Sequence, residues 1–123
     1  MEQKPKANIL ALVRDLFFAA KIRETAGRVG VGVEFASSGE ALVESAACQP
    51  SLIIIDLSPS APDPLSLIAR LKGRPGLEHT TILGFVSHVQ SEIKKQAQGA
   101  GCDLVLARSA FSDDLPQILQ RYR

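Results

Sequence analysis

Asp56 follows four large apolar residues, Leu52-Ile53-Ile54-Ile55. A carboxylate in such a setting is costly to keep ionised unless a cation or hydrogen bonds compensate. One role for it is that of a nucleophile attacking a phosphoryl donor. The other is a cap or ion pair at a strand end. Phosphoryl transfer to a carboxylate brings like charges together, so it calls for a divalent cation held by further acids, plus fixed donors for the phosphoryl oxygens. The first apolar run should supply those acids, and it supplies Val13, Arg14 and Asp15. Val13 and Arg14 give a cation no ligand. Asp15 stands one residue late, and a shift of one along a strand turns a side chain to the other face. Arg14 could instead pair with Asp56, with Arg108 approaching from the other side. Two guanidinium groups would hold the carboxylate ionised and lessen the need for a metal.

Ser87 and His88 follow the fourth apolar run. A histidine near an aspartate raises acid–base catalysis, but His88 reads better as an exposed loop residue beside a helix start. No serine nucleophile elbow or activated cysteine is visible. Gly30 and Gly32 lead into a strand rather than from strand to helix, so they form neither a Walker loop nor a dinucleotide fingerprint. No catalytic residue and no metal ligand is assigned.

Five apolar runs alternate with helical patterns. Ile9 to Val13, Val31 to Ala36, Leu52 to Leu57, Thr80 to Val86 and Asp103 to Ala107 read as strands. Leu52 to Leu57 is apolar on both faces, as a central parallel strand must be. Helices are expected over Leu16 to Arg28, after the capping box Ser37-Ser38-Gly39-Glu40, from the Asp63-Pro64 start, over Ser91 to Gln98, and over Asp113 to Tyr122. Phe17 and Phe18 are adjacent, so one should pack inward while the other faces the rim or solvent. Strands and helices in this order argue βαβ units and an α/β fold: a three-layer, doubly wound, five-stranded parallel sheet. Ligands of such sheets bind beyond the carboxyl ends of the strands. Those ends carry Arg14, Asp15, Asp56, Val86, Ser87 and Arg108.

The chain of 123 residues suits one domain, with a core over about residues 7–121. Its 46% hydrophobic and 22% charged residues exclude a disordered tail. A formal charge of +1 gives no reason to expect nucleic acid or an anionic membrane as partner. The apolar runs are far too short to span a bilayer. The polar start, Met1 to Lys6, lacks a signal peptide's apolar stretch, so the expected location is the cytoplasm. Cys48 and Cys102 then read as free thiols, and with two distant histidines they do not make a zinc site.

The order and spacing of these elements resemble a bacterial response-regulator receiver domain, the CheY-like member of the flavodoxin-like folds. Leu52-Ile53-Ile54-Ile55-Asp56 resembles that family's third strand, which ends in the phosphoacceptor aspartate. Ala97-Gln98-Gly99-Ala100-Gly101-Cys102-Asp103 is similar to its approach to the fifth strand. The resemblance implies the strand order 2-1-3-4-5. It also implies that the family's acidic pair falls on Val13 and Arg14 and its phosphoacceptor on Asp56. The hydroxyl residue after the fourth strand falls on Val86, with Ser87 next. The lysine falls on Arg108, the following proline on Ser109 and the switching aromatic on Val105.

Only the aspartate keeps its type. The sequence therefore resembles a degenerate, or pseudo-, receiver. What this implies is a signalling module rather than an enzyme, with no cofactor and with magnesium-dependent phosphorylation impaired or lost. Its partners would be proteins, a histidine kinase or a downstream effector, and the chain a monomer or weak homodimer. One rival is a phosphorelay receiver still phosphorylated at Asp56. A second is a small flavodoxin-like ligand-binding domain or enzyme using Asp56, His88 and Arg108.

Overall fold

Strand β3 (Leu52–Asp56) is buried at every position. Its side chains alternate between two cores, as the two-residue period of a strand requires. Ile53 and Ile55 pack in one core with Leu42, Ile68 and Leu71. Leu52 and Ile54 pack in the other with Ile22, Phe85 and Leu115. Each fully buried isoleucine here contributes about 1.5–3 kcal/mol of apolar burial. That two-sided demand is met by helices on both faces of the sheet.

The computed structural model describes residues 8–58, 63–88 and 91–123. Before β3 come β1 (Ile9–Leu12), α1 (Leu16–Val29), β2 (Val33–Phe35) and α2 (Gly39–Ser45), with a 3₁₀ turn over Ala46–Cys48. After it come α3 (Pro64–Lys72), β4 (Thr81–Val86), α4 (Ser91–Ala100), β5 (Leu104–Ala107) and α5 (Arg108–Arg121). The sheet is parallel throughout, with order β2-β1-β3-β4-β5. The expected α/β class, five strands and strand order are all present. Among the described residues no helix is long and apolar enough to cross a membrane.

Local chemistry sets several boundaries. Gly30 closes α1 in the left-handed conformation at φ 72° and donates to Ala26 C=O. Asp63 caps α3 through Leu65 N–H, with Pro64 at its first position as expected. At α2 the cap is Ser38 rather than Ser37: its Oγ accepts from Ala41 N–H at 3.1 Å. Glu40 does not reach back to close a capping box. Its carboxylate takes two bonds from Arg70 on α3, at 2.8 and 3.3 Å.

The largest departure is α5. It begins at Arg108, not Asp113, and follows β5 directly, with Ala107 as a cap that makes no side-chain bond. Phe111, Leu115 and Leu119 are all buried, so the helix must start early enough to bring Phe111 onto its inner face. Close approach matters at Gly84 of β4, where a Cβ would come within 2.7 Å of Leu57 Cδ1. Leu57 N–H donates to Phe85 C=O at 2.9 Å, so the chain leaving β3 lies flat against β4.

Candidate functional site

Asp56 ends β3 at the carboxyl edge of the sheet with 7% of its surface exposed. Its Oδ1 accepts from Ser58 N–H at 2.9 Å and from Ser58 Oγ at 2.6 Å. This is an Asx turn reinforced by a hydroxyl, and it supplies the hydrogen bonds a buried carboxylate needs. Among the described residues Oδ2 takes no hydrogen bond. Ser58 was not among the residues expected to line the site. Its signal was the spacing Asp56-Leu57-Ser58, which places a hydroxyl two residues after an acid.

Asp15 lies beyond the end of β1 and caps α1. Its Oδ1 accepts from the backbone N–H of Phe17 at 2.9 Å and of Phe18 at 3.2 Å. Its Oδ2 accepts from Arg108 Nη1 at 3.1 Å. The expected arginine pairing is therefore different in the structure. Arg108 turns to Asp15 rather than Asp56, because the cap fixes Asp15 with one oxygen facing the first residue of α5. Arg14 stands exposed, and among the described residues no ion pair joins it to Asp56. An exposed guanidinium would lose hydration by turning in toward a buried acid.

Val86 ends β4 half-buried, and Ser87 and His88 follow it exposed. Val105 pairs with Gly84 across β4 and β5. Phe18 is buried while Phe17 is 92% exposed, which resolves the adjacent pair as expected. Phe18, Phe85 and Phe111 form a cluster with ring centroids 4.8 to 5.6 Å apart. The Arg108 guanidinium lies 5.5 Å from the Phe18 ring centroid. Arg108, Ser87 and His88 meet at a groove of about 740 Å³ between α1 and α5, and Asp56 does not line it.

Of the residues expected to supply a divalent cation beside Asp56, few offer a side-chain ligand. Hard cations take carboxylate and carbonyl oxygens. The Val13 side chain has no ligand atom, Arg14 is itself a cation, and both oxygens of Asp15 are already engaged. Among the described residues no group of three or more histidines, cysteines and acids is placed to hold a metal.

No protein-family model matches the chain, and no curated protein matches its sequence. Solved structures do match its shape. The chemotaxis protein CheY4 of Vibrio cholerae superposes with a TM-score of 0.80 at 20% identity, over 94% of this chain and 97% of that one. The chain has the receiver-domain fold. The receiver domain of the response regulator NarL from Mycobacterium tuberculosis gives 0.75 at 17% identity, over 92% of each chain. A response regulator from Burkholderia pseudomallei gives 0.75 at 25% identity, over 91% of this chain and 65% of that one. That Burkholderia protein was crystallised with a phosphorylated aspartic acid, a calcium ion and citrate. Within the receiver fold of the present chain, Asp56 occupies the end of the third strand, and the residues around it differ from the pattern the resemblance implies.

Proposed function

We propose that this chain is a receiver-fold signalling module that acts through protein contacts, with magnesium-assisted phosphorylation of Asp56 impaired or absent. The observation that carries this reading is Asp15: the acid that follows β1 is taken up by the cap of α1 and by Arg108. Val13 and Arg14 add no ligand. Signalling would then run through surfaces rather than through a metal-assisted phosphoryl group. The face formed by α4, β5 and α5 offers Ile93, Lys94, Gln98 and Val105 to a protein partner, a histidine kinase or a downstream effector. The chain would work in the cytoplasm as a monomer or weak homodimer, with no enzymatic turnover of its own.

The test is incubation with a small phosphodonor and magnesium, followed by intact mass. The expected result is no stoichiometric gain of a phosphoryl group. A full gain that disappears in Asp56→Asn would overturn the proposal. It would favour the second reading, a phosphorelay receiver, which draws support from Asp56 Oδ2, engaged by no hydrogen bond among the described residues.

A further inference from the structure

The groove between α1 and α5 is separate from Asp56 and has its own chemistry. Lys21 of α1 and Arg108 of α5 both line it. Three hydroxyls, Ser87, Ser109 and Ser112, line it with them, as does Phe18. Its volume of about 740 Å³ lies within the range of small-molecule sites.

The donors in this groove outnumber their acceptors. A lysine ammonium has three N–H donors and a guanidinium has five. Among the described residues the Lys21 ammonium donates to Ser112 Oγ and the Arg108 guanidinium to Asp15. Arg108 Nε is buried, and among the described residues it has no hydrogen-bond partner. A buried donor without an acceptor is costly, and a ligand that supplies one removes that cost. Among the described residues the only acid bonded to either cation is Asp15, and it offsets one of the two charges.

We propose that this groove binds a small organic phosphate, one that joins an apolar body to a phosphate group. Two cations and three hydroxyls suit the three terminal oxygens of a phosphate better than the two of a carboxylate. The apolar body would lie against Phe18 and Ala107, the apolar residues of the lining. Bound there, the ligand would bridge α1 and α5 and leave Asp56 untouched.

The experiment is a backbone-amide NMR titration of the full chain with three probes: phenyl phosphate, benzoate and inorganic phosphate. Phenyl phosphate is expected to give saturable shifts at Ser87, Ser109 and Ser112, and to bind more weakly as salt rises. Lys21→Gln, at an exposed position, is expected to weaken it about tenfold. Arg108→Gln should weaken it at least as much, and Lys95→Gln, on α4, should leave it unchanged. Shifts that do not saturate, or that follow exposed lysines all over the surface, would overturn the proposal. So would a Lys21→Gln variant that binds as tightly as the parent. Benzoate binding equal to phenyl phosphate would overturn the choice of phosphate. Equal binding of inorganic phosphate would overturn the role of the apolar lining.

Discussion

Arg108 Nη1 donates to Asp15 Oδ2 across 3.1 Å, joining the first residue of α5 to the residue that caps α1. The two are 93 positions apart in the chain. Asp15 therefore does two jobs with its two oxygens, and the jobs can be separated by substitution. Asp15→Ala removes both the cap and the ion pair. A cap of this kind is worth about 1 kcal/mol. The ion pair, with side chains 35% and 30% exposed, adds about 0.5 kcal/mol. Asp15→Asn keeps the cap and loses the charge, so it should cost much less than Asp15→Ala in urea unfolding. Equal losses from the two variants would show that the charge, not the cap, carries the stability.

Ser58→Ala takes one of the two donors from a buried carboxylate and leaves the backbone N–H in place. A hydrogen bond to a charged group of this kind contributes about 1.5–3 kcal/mol. The expected effect is a lowered melting temperature at neutral pH. Ser87→Ala, at an exposed position, should change stability by less than about 0.5 kcal/mol. The comparison identifies which serine supports Asp56.

Cys102 is 5% exposed, and burial pushes its thiol above the ordinary value of 9.0. The folded chain therefore holds this proton more tightly than the unfolded chain. The resulting stability is complete below the unfolded value and declines as pH rises through the folded one. Unfolding free energies measured from pH 8 to 10 should fall more steeply for the parent than for Cys102→Ala. A disulfide reagent should modify the half-buried Cys48 in the folded chain and reach Cys102 only on unfolding.

Glu40 and Arg70 tie α2 to α3 at the surface. The two bonds from the guanidinium hold the Glu40 carboxyl below its ordinary value of 4.5. Stability from this pair is present above the unfolded value and is lost as pH falls through the folded one. A carbon-detected NMR titration should place the Glu40 midpoint below 4.5 and show it rising in Arg70→Gln. Added salt should shrink the difference, because both side chains are exposed. A midpoint that Arg70→Gln leaves in place would refute the pairing.

The strands were legible because β3 is apolar on both faces and must lie between two layers of helices, while their order followed from the family resemblance. The start of α5 was misplaced for a different reason. The acids Asp113 and Asp114 look like a helix beginning, while the true cap, Ala107, gives no side-chain signal. The spacing of Phe111, Leu115 and Leu119, four residues apart, was the better guide. Ser37 and Ser38 differ by one position, and only backbone geometry chooses between them as the cap. The Arg108–Asp15 contact lay beyond reach, since no periodicity links residues so distant in the chain. Asp56 was legible by type and place, but its real supporter, Ser58, is a two-residue turn that hydrophobic pattern does not mark.

A strand that passes straight into a helix has no slack. Ala107 ends β5 and Arg108 opens α5, so there is no flexible joint to absorb a tilt of the last helix. The guanidinium of that first residue reaches the cap of α1. The rim of this sheet thus ties the opening of the last helix to the opening of the first, through one side chain and no intervening loop.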